Sequence, residues 1–575
     1  MLVVLWGANR SFDFTDEGVY YLCAARPAEV PDRQTTYYVF GHALFALAGH
    51  NIAVTRVLVA GLALAATVVF VRGVRRFLAA FAPELQAAGW LDIAATAGTA
   101  LAFSAAPVAP SYNLLNTMCL LAATGLVLEA ASAPSACELT SSYRLWGQLL
   151  AAGILLVADF FIKFSTSVAL VALLALLFLA TSRARARSKA IMGVALAVAG
   201  LLGVAGYLLV FQDLATWRKG IEGTLEGLSR HGYIVNEMTR YAHEISIQVA
   251  ETSSTYESLF AALLIAGGVL FLFRRRPRGQ RWLALIAAGA VCLIGYQDAP
   301  PDFARSYQYL AVRLHLAALL ALGLAAGITL IVRGPQSRPT LPKGAWRVPA
   351  VIGLMVLLPL AGSFGTSNDI TVNAIHQLAP WLVGMALLLE WLSLGWQARW
   401  MRSVGVVFIC AVAFCQFFTG YVLIPYRVPG GRLAQTVPTA IGNPATMLRL
   451  DPASHDFVDA VRSQLANNGF KTGDDIFAFF NLPGLVFAVG GISPGYPWYF
   501  SGGERSLELD AMRANWVPAR RRYRAYVILN KNPGAAPPPW AAMYMPFPED
   551  YKLCGPPLSN PLTGERVEVW LEKYR

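Results

Sequence analysis

Runs of about 20 apolar residues, repeated along most of the chain, decide what it can fold into. A helix of that length crosses the hydrocarbon core of a bilayer. The runs read approximately as Val54–Val71, Trp90–Val108, Ser111–Ala131, Leu145–Phe161, Ser165–Ala180, Ile191–Phe211, Leu259–Phe273, Trp282–Tyr296, Leu314–Val332, Val348–Ala361, Ile375–Leu394 and Val404–Ile424. Charged residues make up 14% of the chain, well below the roughly 25% of a soluble domain. That deficit excludes an ordinary soluble enzyme and a disordered chain. No repeat at solenoid spacing is visible. The class that remains is a helical polytopic membrane protein.

The net charge of +12 is arranged in short clusters between apolar runs, which argues for membrane sidedness and against a nucleic-acid partner. Arg72, Arg75 and Arg76 follow the first full run. Arg183, Arg185, Arg187 and Lys189 follow the fifth, Arg274–Arg281 the seventh, Arg333–Arg347 the ninth, and Arg399 and Arg402 the eleventh. Every second connection is basic, so those connections are expected to be cytoplasmic and the others outside. Met1–Gly7 is too short to span and reads as the outer end of a further span, or as a re-entrant piece. The seven cysteines form no CxxC pair, which leaves zinc and redox motifs unsupported.

Composition changes after Pro425. Pro429, Gly430, Gly431, Pro438, Gly442 and Pro444 mark a linker. Phe457, Val458, Val461 and Leu465 have helical spacing closed by Gly469, and Ile476–Phe480, Tyr526–Leu529 and Val567–Leu571 read as strands. The expected organisation is a membrane module over residues 1–425, with a first outer loop at about 9–53. A small α/β domain outside the membrane follows over 426–575.

Polar residues near a bilayer are costly and therefore informative. On the expected outer side lie Asp13, Asp16 and Glu17, then His42, His50 and Arg56. Further along come His231, Glu237, Arg240, His243 and Glu244, then Asp298, Asp302 and Arg305, then Asn368 and Asp369. The inner side is merely basic, so chemistry belongs outside.

Asp16-Glu17-Gly18-Val19-Tyr20 resembles the Asp-Glu-x-x-Tyr of the first outer loop in GT-C glycosyltransferases, notably the lipid A aminoarabinose transferase and protein O-mannosyltransferase branches. Tyr38–Gly49 followed by Val54-Thr55-Arg56 is similar to a stretch of those enzymes ending phenylalanine-glycine, a few residues, arginine-leucine. The pattern covers about residues 13–58; beyond that only architecture is shared. Two departures bar transfer of donor specificity. Gln34-Thr35-Thr36-Tyr37-Tyr38 stands where the aminoarabinose transferase has Lys-Pro-Pro, and Phe161-Ile162-Lys163-Phe164-Ser165 lacks the proline of Lys-Pro-Ser/Thr.

The resemblance implies a GT-C-like fold of about 12–13 transmembrane helices in a bacterial inner membrane, with the C-terminus outside. It also implies a polyprenyl-phosphate-linked sugar donor and a glycan, lipid or protein acceptor. Transfer needs a base for the acceptor hydroxyl and cations for the departing lipid phosphate. Asp16 is the candidate base, with a helix cap as its other reading; Asp13 is the substitute base and Glu17 the supporting carboxylate. A divalent metal on these carboxylates stays open, with no other cofactor indicated. Lys163, Arg56 and Arg305 are the candidate phosphate contacts. Lys163 has the alternative reading of a snorkelling lysine at a span end, and Arg56 reads first as a structural partner for an outer carboxylate. His243, Glu244, Asn368 and Asp369 are candidate cavity or acceptor residues. The competing class is a lipid or glycan transporter or flippase, which would favour inverted repeats and charged span centres; neither is visible. Reporter fusions after Arg76 and Lys189 should report a cytoplasmic location, and a fusion after Ile424 an external one; a cytoplasmic signal there would overturn the span order.

Overall fold

The computed structural model describes residues 1–30, 35–85, 90–132, 143–182, 186–211, 347–364, 373–395, 412–494, 519–531 and 547–574, with isolated positions between 214 and 409. In chain order the helices are α1 (Leu2–Gly7), α2 (Asp16–Ala25), α3 (Tyr37–Leu47), α4 (Ile52–Phe81), α5 (Trp90–Ala105), α6 (Tyr112–Ala131), α7 (Tyr143–Ile162), α8 (Phe164–Thr181), α9 (Ala186–Val210), α10 (Arg347–Ser363), α11 (Leu378–Gly395), α12 (Pro452–Asn467), α13 (Pro483–Ala488) and α14 (Ala519–Arg524). Among the described residues, five stretches are long and apolar enough to cross a membrane: Ile52–Phe81, Tyr112–Ala131, Leu145–Ile162, Phe164–Thr181 and Ile375–Ser393. The chain is an integral membrane protein with a helical body and a small C-terminal sheet. The expected spans Leu259–Phe273, Trp282–Tyr296 and most of Leu314–Val332 lie outside the described residues.

Two compact units divide the chain. One holds Leu62–Ala105 and Asn113–Gly420. Its helices approach through small residues, as lipid-embedded helices do where backbones must come close. A Cβ on Gly73 would lie 2.0 Å from the Gly125 carbonyl, and one on Gly98 2.4 Å from the Ala379 Cα. The basic cluster after the first full span is partly neutralised here. Arg72 and Arg76 both pair with the buried Glu129, and Arg75 pairs with Asp92.

The other unit holds Met1–Gly61, Ala106–Tyr112 and Tyr421–Arg575. The first outer loop and the C-terminal part thus form one body. The expected boundary at residue 425 falls inside that unit. Its strands are β1 (Val437–Ile441), β2 (Thr446–Leu450), β3 (Ile476–Phe479), β4 (Tyr526–Lys531), β5 (Tyr551–Leu553), β6 (Leu558–Ser559) and β7 (Arg566–Glu572). β1 and β2 form an antiparallel pair; β3 runs parallel to β4, and β7 is antiparallel to β4, β5 and β6. β3 is buried throughout, as a run read from apolar sequence requires. α12 starts at Asp451, whose carboxylate accepts from the Ser454 N–H at 3.0 Å.

The N-terminal segment is sewn onto this body by backbone. Ser11 N–H donates to the Arg449 carbonyl and Arg449 N–H to the Asn9 carbonyl, both at 2.8 Å. Phe12 stacks on Phe487 with centroids 5.9 Å apart, and Phe14 meets Phe457 edge-on at 6.1 Å.

In the helical unit, Gly125→Val should destabilise the purified protein, because even its Cβ would sit 2.4 Å from the Val69 carbonyl oxygen. Overpacking of this kind costs about 1–3 kcal/mol. Gly61→Ala, with nothing within 4 Å of the new atom, should leave the unfolding temperature in detergent unchanged.

Candidate active site

The acidic loop resolves into three carboxylates with three different partners. Asp13 is buried. Its Oδ1 accepts from the Thr15 N–H at 2.9 Å and the Thr15 hydroxyl at 2.6 Å, and its Oδ2 from the Glu17 N–H at 3.2 Å. These bonds satisfy donors at the start of α2, which would otherwise be unpaired. The helix-cap role open to Asp16 therefore belongs to Asp13. Glu17 reciprocates, its Oε2 accepting from the Asp13 N–H at 3.1 Å.

Glu17 also forms a bidentate pair with Arg56, from Nε to Oε1 and from Nη2 to Oε2, both at 2.8 Å. The two side chains are 2% and 3% exposed. The remaining donors of Arg56 go to the carbonyls of Ala8 (2.8 Å), Arg10 (3.2 Å) and Ser11 (2.9 Å). All five guanidinium N–H groups thus have protein acceptors. This matches the reading of Arg56 as a carboxylate's partner, and no donor is left over for a phosphate.

Asp16 is the carboxylate that faces outward, with a side chain 21% exposed. The Tyr426 hydroxyl donates to its Oδ2 at 2.8 Å, and Arg427 Nη1 approaches Oδ1 at 3.4 Å. Burial is the largest influence and raises its pKa to about 6; Asp13 adds to the rise, while Arg427 and the Tyr426 bond oppose it. Tyr20, Tyr37 and Tyr112 pack edge-to-face around this end of α2 at 5.8–6.3 Å. Burial also holds the Tyr20 hydroxyl well above its ordinary pKa, so it stays protonated.

α2 is held in place by a glycine contact. A Cβ on Gly18 would lie 2.0 Å from the Gly484 Cα, and the Gly484 N–H donates to the Phe14 carbonyl at 2.7 Å. Tyr426 and Arg427 escape sequence reading. They lie about 410 residues from Asp16, in what reads as the mouth of a linker. The signal available is a Tyr-Arg pair directly after an apolar run. Arg427 has φ +52°, a left-handed conformation uncommon for a residue with a Cβ.

A divalent metal does not fit this arrangement. Asp13 and Glu17 direct their oxygens to N–H groups and to Arg56, which leaves Asp16 alone as a ligand. Among the described residues no group of three His, Cys, Asp or Glu side chains could hold a metal.

Lys163 lies in the helical unit, buried between α7 and α8. Its Nζ donates to the Gly362 carbonyl at 2.6 Å. Asn116, Thr166 and Gln377 donate to the same oxygen at 3.2–3.3 Å. Gly362 lies in the last turn of α10, where carbonyls lack helical partners, so Lys163 serves to cap the helix C-terminus. Nearby Asp159 is buried with both carboxylate oxygens lacking a hydrogen bond among the described residues. His243 is helical and exposed. Glu244, Arg305, Asn368 and Asp369 lie outside the described residues.

Arg56→Met should strand the Glu17 charge and three carbonyls; breaking a buried pair in this way costs about 3–5 kcal/mol. The expected outcome is a lowered unfolding temperature in detergent, measured against the wild type.

No protein-family model matches the chain, and no curated protein matches it. Solved structures similar to this chain include the following three. One is the archaeal oligosaccharyltransferase AglB from Archaeoglobus fulgidus, in complex with an inhibitory peptide and a dolichol-phosphate. It has 10% identity and a TM-score of 0.44, over 92% of this chain and 68% of that one. ArnT from Cupriavidus metallidurans bound to undecaprenyl phosphate has 14% identity and a TM-score of 0.40, over 99% and 96%. The same protein in the apo state has 14% identity and a TM-score of 0.38, over 100% and 96%. Likenesses that distant say nothing of activity; the residues of the chain must do that.

Proposed function

We propose that this protein is a membrane glycosyltransferase. It moves a sugar from a polyprenyl-phosphate donor to an acceptor hydroxyl at the outer face of the membrane, with Asp16 as general base. The observation that carries the reading is the division of labour in the acidic loop. Asp13 and Glu17 are committed to capping α2 and to Arg56, while the Asp16 carboxylate is partly exposed and its pKa is raised by burial to about 6. A base poised near the working pH combines availability of the charged form with driving force for proton removal. Lys163 donates to the Gly362 carbonyl in the helical unit and is not assigned to the donor phosphate. The donor sugar and the class of acceptor are left to assay.

Asp16→Asn keeps the size of the side chain and removes the base. It should leave expression and membrane insertion intact and cut transfer at least about a hundredfold, the low end of what a general base contributes. Asp13→Asn should cost less, because asparagine also caps helices. Retained transfer in Asp16→Asn together with loss in Asp13→Asn would move the base to Asp13. Retained transfer in both would sink the mechanism.

The pH dependence follows from the sign of the shift. The reactive form is the carboxylate, so kcat/KM should fall as pH drops through about 6. Asp13→Asn removes a like charge and should move that midpoint downward. A profile flat between pH 5 and 7 would count against Asp16 as the titrating group.

A further inference from the structure

The two arginines of the acidic loop's surroundings differ in one respect that bears on the substrate. Arg56 is 3% exposed and has a protein acceptor for each of its five N–H groups. Arg427 is 38% exposed. Its Nη1 reaches the Thr15 hydroxyl and Asp16 Oδ1. Among the described residues, its Nε and Nη2 have no hydrogen-bond partner. Its guanidinium carbon lies 4.7 Å from the centroid of the Tyr426 ring, so one face of the group is covered. Among the described residues, what stays open is the edge bearing Nε and Nη2. Those N–H groups form the planar fork that matches two oxygens of a phosphate or carboxylate. A fully hydrated surface arginine needs no partner, but this one is anchored at Nη1, backed by a ring and held at φ +52°. Orientation of that kind reduces the side-chain entropy lost on binding.

We propose that Arg427 is an oxyanion subsite of the active site, taking a phosphate group of the substrate bidentately through Nε and Nη2 while Nη1 stays on Thr15 and Asp16. The assignment rests on the glycosyltransferase reading and adds to it the group that holds an anionic oxygen next to the base. The phosphate chemistry can come from a lipid carrier's headgroup or from a water-soluble phosphate. Asp13, Asp16 and the Tyr20 and Tyr426 hydroxyls are the titratable groups facing Arg427. Asp16 is therefore the charge that competes with an incoming phosphate.

The test is equilibrium binding by the full-length protein in detergent, with undecaprenyl phosphate as one probe and inorganic phosphate as the other. Arg427→Gln should weaken lipid-phosphate binding at least about tenfold, in line with loss of a charged hydrogen-bonded contact. Arg427→Lys should restore only part, since an ammonium cannot form the fork. Asp16→Asn should bind at least as tightly as the wild type, because the competing charge is gone. A merely structural latch between Arg427 and Asp16 would instead weaken binding alike in both variants, and that result would overturn the proposal. Unchanged lipid binding in Arg427→Gln would overturn it too. Binding of inorganic phosphate alone, lost in Arg427→Gln, would support the subsite while overturning the lipid-linked donor. Transfer activity of Asp16→Asn, measured separately, tests the glycosyltransferase reading without touching this one.

Discussion

The buried pair of Arg56 and Glu17 is the interaction on which the rest of the site depends. Removing two charges from water costs several kcal/mol per ion, and attraction between them recovers this only when geometry is good and the other donors are satisfied. Both conditions hold here. The pair is bidentate, and three carbonyls of the segment from Ala8 to Ser11 take the remaining guanidinium protons. One side chain on the fourth helix thereby fixes the course of the chain before the acidic loop and the orientation of the helix after it. Such a pair is poor evidence for stability in itself. Its effect is to allow one arrangement of these elements and to penalise others.

That arrangement makes the three carboxylates unlike. Three acids within five residues would normally raise their pKa values by mutual repulsion. Here Asp13 is surrounded by N–H and O–H donors and Glu17 faces an arginine. Asp16 keeps a partly exposed carboxylate, and burial raises its pKa to about 6 despite Arg427 and Tyr426. The two arginines follow the same logic. One is saturated and buried and organises the loop; the other is 38% exposed and reaches Thr15 and Asp16.

A second polar concentration lies in the helical unit, around the carbonyl of Gly362. Lysine, asparagine, threonine and glutamine side chains converge on it from α6, α8, α11's approach and the connection before α8. A carbonyl at a helix C-terminus carries partial negative charge and lacks a helical partner. Gathering donors there ties the ends of several spans together without placing a charge at a span centre. A Cβ on Gly362 would lie 2.0 Å from the Gln377 Oε1, so the convergence requires glycine at that position.

The sequence by itself determined the class of the molecule and the location of its described spans. Twenty-residue apolar runs have one physical solution in a bilayer, and α4–α8, α10 and α11 fall where such runs were read. The strands around Ile476, Tyr526 and Val567 and the helix closed by Gly469 were legible for the same reason: burial on one or both faces imposes a period. The acidic loop was legible too, because carboxylates beside a membrane are costly enough to stand out. What the sequence left open was which carboxylate does what. Asp13, Asp16 and Glu17 look alike in composition, and their roles follow from partners far away in the chain: Arg56 for Glu17, Tyr426 and Arg427 for Asp16. Local spacing carries no information about such pairings. Only tertiary structure decided them, because burial and hydrogen bonding act on whichever groups the fold brings within 3 Å, regardless of their distance along the chain.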